Sequence, residues 1–482
     1  MNDYVIVGSG PVGIILALCF AKEGKKVTLI DKEDNIGGCH RVRRYDHKNV
    51  KNGLFTEHGP RIYSSNYFTF INFLKSLKMD FYEYFVKYDY NIKKTGPRII
   101  SSMNLNEIKW LVFYFIFMFD QLKNVTIGQL MTNRGYSSET TSLIVSLCRL
   151  SDGADKDKYS VFQFLQIINQ NFFYDFYLPK KPNDISLFKD LHDKLIENGV
   201  NISLNTEVIE IAKKNNDKIS HLSVLNDKKN VQIIEGHNFI LAIPPVNIIK
   251  ILENTQDIIV KNAFGNYSSF ANFAHKNNYI TYIPVMFYWF KKIKINKIWG
   301  SLPTKWGIIM ITMSDYMTFD TTHPKTVISS CISKHNISDS IHKTPDECTE
   351  DELKKEVFRQ IKTIHKNIPD PDLMVMNDSY YENGKWHSSD TAFFYHSGKV
   401  SQLSSFNNLY NCGCHNGSFY DDYSFTSLES SSINAITLFN ELSSRNKYII
   451  KTPITLRFVI IIIAIFILII IIIYCKSSLS SQ

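Results

Sequence analysis

The spacing of apolar residues changes period within the first stretch of the chain. Tyr4–Val7 is a short apolar run with strand character that ends at Gly8. Over Ile14–Lys22, Ile15, Leu18 and Cys19 recur at a spacing compatible with a helix, and Val27–Ile30 is again an unbroken apolar run, closed by Asp31. That order predicts a strand–helix–strand unit. Later, LFKDLHDKLIENGVNISLNTEVIEI predicts a helix, a turn at Asn198-Gly199 and two short strands, and HNFILAIPP at 237–245 predicts one more strand. Near the end, Thr426-x-x-Glu429 has the form of a capping box, and Ile433, Ile436, Phe439 and Leu442 line one face of the helix that follows.

Two stretches carry no polar face. WLVFYFIFMF at 110–119 is too short to span a bilayer and is expected as a buried helix, the alternative being a lipid-facing wall through which an apolar substrate enters. Phe458–Cys475 would extend about 27 Å as a helix, close to the thickness of a bilayer core. It shows no periodic face to pack on a soluble body, so it is expected to be a single transmembrane anchor at the C-terminal end. Arg445, Lys447, Lys451 and Arg457 precede it and Lys476 follows, a bias that predicts a body facing the cytosol.

The turn after the first strand carries candidate chemistry. Gly8, Gly10 and Gly13 stand in a G-x-G-x-x-G pattern, with Pro11 and Val12 inside it, between the predicted strand and helix. Gly8 permits a tight turn, Gly10 lets the backbone approach a pyrophosphate, and Gly13 lets the helix pack close to the strand. The helix N-terminus presents free N–H groups and a positive dipole end to the phosphates. Asp31 can accept the ribose hydroxyls of an adenosine and would repel a 2′-phosphate, which disfavours NADP.

Composition narrows the class. With 482 residues, two or three domains are expected, and 44% hydrophobic and 21% charged residues supply material for globular cores. The net charge of +8 is spread along the chain without a dense basic block, so no nucleic-acid partner is expected. Eight cysteines at irregular spacing do not form a disulfide framework. Cys412 and Cys414 lie beside His415 without a matching second pair of ligands, so no metal is expected either.

The residues after Asp31 carry a resemblance. DKEDNIGGCHRV places Gly37 and Gly38 just past the acid, and TEHGPRIYSS follows at 56–65. Together with 185–250 and NLYNCGCHNGSFYDDYSFTSLESSSINAITLFNEL, these segments resemble the flavin amine oxidase superfamily, which includes monoamine oxidases, protoporphyrinogen oxidases and carotenoid desaturases. The resemblance implies that Gly37 and Gly38 pass under the dinucleotide and that Gly59 and Arg61 lie beside the flavin. It implies that Val208 clamps the adenine through its backbone and that Gly413, followed by Cys414, lies near the ribityl chain. It also implies an α/β fold: a Rossmann-type FAD-binding domain built from 1–65, 185–250 and 400–445, interleaved with an α+β substrate domain built from 66–184 and 251–399. A basic linker, 446–457, and the transmembrane helix at 458–475 complete the expected organisation.

The chain also departs from the family pattern. Amine oxidases carry a lysine on a substrate-domain strand, and the strand resembling it, YIPVMFYWF at 282–290, has Pro284 in that place. Ser427 replaces an aromatic residue, Cys414 replaces an acid, and Ser430-Ser431 form the small pair after Glu429. HSSDTAFFYHS after Trp386 lacks a cysteine that could bond the flavin, so FAD is expected to be non-covalent. No catalytic base is assigned; Arg61, His58 and Tyr410 are the candidates. The expectation is a membrane-anchored FAD-dependent oxidoreductase that takes a hydride from an organic, apolar or membrane-borne small molecule onto flavin N5. The alternatives are a reduced-flavin enzyme of the sugar-nucleotide mutase type and a flavin-fold scaffold at a membrane that has lost its chemistry.

Overall fold

The computed structural model describes residues 1–57, 59, 61–88, 98–117, 120–152, 156–215, 217–277, 282–295, 299–389, 400–416, 427–443 and 448–480. His58 and Thr426 lie outside the described residues, as do Arg445 and Lys447.

The first strand, Asn2–Val7, lies inside a seven-stranded sheet. It pairs in parallel with Val27–Ile30, which pairs in parallel with Asn201–Ser203. On its other side it pairs in parallel with the second half of the long strand Val231–Leu241, which also takes Leu409–Asn411 in parallel. The first half of that long strand turns to antiparallel partners, Lys218–Leu225 and then Glu207–Asn215. A strand-period division of labour organises the two faces. Tyr4 and Ile6 point into one apolar cluster with the helices Pro11–Ala21, Leu187–Glu197 and Leu428–Ser443, whereas Val5 and Val7 join a second cluster with Pro245–Asn254. Residues Val12 to Ala21 are all buried, because this helix is pressed between the sheet and Leu428–Ser443. That burial explains why its sequence shows little polar face.

A second sheet of five strands is antiparallel, in the order Trp299–Ser301, Ile309–Thr312, Thr326–Ile332, Ile283–Trp289, Leu373–Val375. Leu353, Val357, Phe358 and Ile361 of the helix Glu350–Ile364 pack on it. The capping box Thr349/Glu352 fixes where that helix begins.

The helices Leu105–Phe117, Ile127–Arg134, Ser138–Asp152 and Val161–Asn171 gather around their own cluster. The apolar run at 110–119 is indeed helical as far as Phe117, with Met118 and Phe119 outside the described residues. The expectation of a buried helix fails. Within this helix Glu107 and Phe115 are buried, whereas Leu105, Val112, Phe113 and Phe117 are exposed. Only one side of the helix meets the cluster, and uniform hydrophobicity gave no period from which to read which side.

The helix Leu456–Ser480, here the tail helix, starts before the expected boundary at 458. Leu456–Cys475 is the one stretch among the described residues long and apolar enough to cross a membrane, and none of it is buried in the fold. Its root, however, is docked. Leu456 and Ile460 pack against the four-helix cluster. The Arg457 N–H donates to Asn169 Oδ1 at 2.8 Å, its Nε donates to the Ile116 carbonyl at 2.9 Å, and the Ile454 N–H donates to the Tyr174 hydroxyl at 2.9 Å. The tail is thus not free of the body, as its uniform composition suggested; its first turn is part of the fold.

Candidate functional site

The glycine turn is built by close backbone approach. A Cβ on Gly13 would lie 1.8 Å from the Gly8 carbonyl oxygen, and one on Gly8, whose φ is +103°, would lie 2.5 Å from the Ala242 carbonyl oxygen. The double glycine closes over this turn. The Gly37 N–H donates to the Ser9 carbonyl at 2.9 Å, and a Cβ on Gly38 would lie 2.8 Å from the Gly10 Cα. Behind the turn, the helix Pro11–Ala21 begins with Pro11 in its first turn and with no side chain bonded to its N-terminal N–H groups. Glycine at 10 and 38 lets the two backbone segments meet, and the uncapped helix start presents backbone donors beside them. Such an arrangement fits a pyrophosphate.

Asp31 ends the second strand and is buried. Its carboxylate accepts from the Ser9 N–H at 2.7 Å, the Ser9 hydroxyl at 2.6 Å and the Glu33 N–H at 3.0 Å, and the Arg41 guanidinium stands 3.6 Å away. Asp31 therefore ties the strand end to the glycine turn as well as offering an acid there. Ser9 and Arg41 were not singled out from sequence, although Ser9 lies inside the glycine pattern. Val208 is a core residue of the strand Glu207–Asn215 at the end of the sheet order. It follows Thr206, whose N–H donates to the Asp31 carbonyl at 2.9 Å.

A second group gathers against the antiparallel sheet. A Cβ on Gly59 would meet Cys331 Sγ at 3.6 Å and the Tyr282 ring at 3.8 Å, so this segment faces the antiparallel sheet. Arg61 donates to the Cys39 carbonyl and lies beside Glu57. Burial pushes the Glu57 carboxyl up to about 8, against the pull of Arg61, and its Oε1 has no hydrogen-bond partner among the described residues. Burial likewise pushes the Cys331 thiol well up, which keeps it protonated. Glu57 is a residue that sequence reasoning passed over inside a segment it had already quoted; nothing local distinguishes a buried glutamate from a surface one. Pro284 stands in register with Cys331 on the neighbouring strand. Tyr410 is not brought to this group: it belongs to the cluster on the helix-covered face, and its hydroxyl donates to the Asn407 carbonyl at 2.7 Å.

The Gly413 segment is held by its own side chains. A Cβ on Gly413 would lie 2.5 Å from the His415 ring. The Gly413 N–H donates to Asn416 Oδ1 at 2.6 Å, its carbonyl accepts from Asn434 at 2.8 Å, and His415 Nε2 lies 2.8 Å from Asn411 Oδ1. Burial lowers the His415 pKa to about 3, so the ring is neutral. Cys414, partly exposed, starts the short turn Cys414–Asn416. Glu429 does a job that its spacing did not suggest. Its two carboxylate oxygens accept from the Thr69 N–H at 2.7 Å and the Phe70 N–H at 3.0 Å, capping the helix Phe68–Ser76. At the start of its own helix the Ser427 hydroxyl accepts from the Ser430 N–H at 3.0 Å, and Thr426, the expected partner in the capping box, lies outside the described residues.

Comparison with known proteins agrees with this geometry. Residues 6–77 match the NAD(P)-binding Rossmann-like domain. The UDP-galactopyranose mutase of Mycoplasma genitalium is 41% identical over 73 residues, 15% of this chain and 17% of that protein. The corresponding enzyme of Mycoplasma pneumoniae is 28% identical over 138 residues, 27% of this chain and 34% of that protein. The matches therefore span well under half of either mutase. Among solved structures, an oxidoreductase from Methanosarcina mazei superposes with a TM-score of 0.60 at 12% identity, covering 91% of this chain and all of that one. Putrescine oxidase gives 0.56 at 14% identity, covering 92% and 99%. Cyclohexylamine oxidase from Brevibacterium oxydans gives 0.57 at 13% identity, again covering 92% and 99%. At such identities the similarity is one of fold. The chain has the fold of these oxidoreductases, and its first part matches an NAD(P)-binding Rossmann-like domain.

Proposed function

We propose that this chain is an FAD-dependent oxidoreductase, held at a membrane by its tail helix, that oxidises an organic small molecule. The observation that carries the reading is the approach of Gly38 to Gly10 in front of an uncapped helix N-terminus. Gly8, Gly10, Pro11, Val12 and Gly13 would lie along the pyrophosphate, with Gly37 and Gly38 beneath it. Asp31 would take the ribose and the Val208 backbone the adenine. Gly59 and Arg61 would border the flavin ring, and Gly413 and Cys414 the ribityl chain. The FAD domain would then comprise 1–65, 185–250 and 400–445, with the substrate domain between. Bound FAD would supply a two-electron acceptor at N5, held without a covalent link.

The chain's own contribution is position, dryness and charge. Glu57 is neutral at pH 7 and holds its proton on a buried carboxyl. Arg61 sets a fixed positive charge beside it. The pair gives the site a proton holder where the family's lysine strand carries Pro284.

Membrane attachment is supported by the exposed apolar stretch Leu456–Cys475, and a cytosolic body by the basic residues ahead of it. A protease added outside sealed microsomes is expected to digest the body. A protected body would reverse the orientation.

The two mycoplasma relatives favour a second reading, in which reduced flavin serves a sugar-nucleotide rearrangement without net oxidation. The full chain in detergent separates the two. The oxidoreductase reading predicts that members of a panel of primary amines bleach the flavin band without oxygen. It also predicts no turnover of UDP-galactopyranose in either redox state. Conversion of that sugar nucleotide only after flavin reduction would establish the mutase reading instead.

A further inference from the structure

The helix Leu105–Phe117 is apolar on its exposed side as well as on its packed side. Leu105, Lys109, Val112, Phe113, Ile116 and Phe117 follow helical spacing along one stripe. The opposite stripe, Ile108, Leu111 and Phe115, packs on the four-helix cluster. The outer stripe, interrupted by Lys109, is therefore a second and mainly apolar face, with Phe113 38% and Phe117 50% exposed. A second exposed aromatic pair, Phe172 at 60% and Phe173 at 48%, follows directly on the helix Val161–Asn171. Contiguous exposed apolar surface of this kind is a contact site rather than ordinary surface.

The root of the tail helix joins these two patches. Arg457 donates through its side chain to the Ile116 and Phe117 carbonyls, at 2.9 and 3.3 Å, at the end of the aromatic helix. Its backbone N–H donates to Asn169, three residues before Phe172. Just upstream, the Ile454 N–H donates to Tyr174, which follows Phe173. The chain thus leaves the body between the two patches. The Arg134 guanidinium lies 3.6 Å over the Trp110 ring, and its NH2 donates to the Tyr114 hydroxyl at 2.8 Å, placing a cation among the partly exposed residues of the same helix.

We infer that the bilayer surrounding the tail helix also takes up the outer stripe of Leu105–Phe117 and the Phe172–Phe173 pair, so that the body is embedded in the membrane interface and not suspended above it. This inference rests on the reading of Leu456–Cys475 as a membrane span. An interfacial helix places its apolar face about 5–10 Å into the headgroup and acyl boundary. The root of a span brings flanking surface to that depth at no further cost in association. Lipid is the occupant chosen because the patch is continuous with the base of the anchor. A second copy of the chain would need no such continuity.

The test uses the full chain in phosphatidylcholine vesicles, with the exposed Cys39 and Cys475 replaced by serine. Nitroxide labels are placed singly at Phe117→Cys, Phe172→Cys, Val112→Cys, mid-span at Ile465→Cys and, as a water-exposed reference, at Ile364→Cys. Collisions with dissolved oxygen and with a water-soluble nickel chelate are then compared. The expected result is that the labels at 117, 172 and 112 resemble the one at 465, with several-fold fewer nickel collisions than at 364 and high oxygen accessibility. If 465 is in lipid while 112, 117 and 172 behave like 364, the inference is overturned and the anchor stands. If those three are shielded from both reagents, protein covers the patch and the inference is again overturned. If 465 itself meets nickel freely, the anchor reading falls and takes this inference with it.

Discussion

Two glycine stations flank the proposed cofactor site, and they are built in different ways. At the first, glycine faces glycine: Gly38 approaches Gly10 so closely that a Cβ on Gly38 would meet the Gly10 backbone, in front of an uncapped helix start. At the second, the missing side chain of Gly413 is filled from within by His415, which is fixed by Asn411. The first glycine pair lets two backbone segments meet beside the proposed pyrophosphate site. The second makes room for the chain itself. A glycine in a motif therefore states only that a Cβ does not fit; what occupies the space is decided by residues that the motif does not specify.

Substitutions break this contrast to different depths. The largest expected effect is at Gly10. A Cβ there would make only an ordinary 3.7 Å contact with Gly38, so the fold tolerates it, while the branches of valine project into the proposed pyrophosphate site. Gly10→Val should weaken FAD binding at least about a hundredfold, roughly 3 kcal/mol, as read by titration with FAD, with the unfolding midpoint nearly unchanged. Equal flavin content in the variant would mean that the first station is as self-filled as the second.

At the other end, Glu429 ties Leu428–Ser443 to the start of Phe68–Ser76. Glu429→Ala leaves two buried N–H groups unpaired and should cost roughly 2–4 kcal/mol of stability in denaturant unfolding. Glu429→Gln, which keeps one acceptor, should lose less. Gly413→Ala should cost about 1–3 kcal/mol, because its methyl would displace the His415 ring. Pairing it with His415→Ala should restore part of that loss if the ring is the obstacle. No recovery in the double variant would mean that the backbone of Gly413, and not the space beside it, requires glycine.

The smallest effect concerns charge. Burial raises the Glu57 carboxyl from its ordinary 4.5 to about 8, so between those values the folded chain holds a proton that the unfolded chain has released. Stability from this group therefore falls as pH rises from about 4.5 through 8. Glu57→Gln should stabilise the flavin-free protein by about 1–3 kcal/mol more at pH 8 than at pH 5, as followed by thermal unfolding. An equal shift at both pH values would place the Glu57 carboxylate in a solvated or paired setting.

The contrast also marks what sequence could convey. The strand–helix–strand opening was legible because each of its signals is local: the apolar runs, the glycine turn and the acid fall within residues 4–31. The apolar face of the last body helix was legible for the same reason. The role of Glu429 was not, because the N–H groups it caps lie about 360 positions away in sequence. The aromatic helix hid its orientation by having no polar side. Arg457 read as a membrane-flanking charge, and its bonds to Ile116 and Phe117 depend on a packing that no periodicity encodes. Glu57 was visible as a residue and invisible as a buried one.

The central claim is that the first station holds FAD without a covalent bond. The full chain, purified in detergent and scanned across the visible range, is expected to show flavin bands, and acid precipitation should leave the colour in the supernatant as FAD. A folded, colourless chain that takes up no FAD on titration would contradict the account. Colour that stays with the precipitated chain would keep the flavin and contradict the non-covalent site.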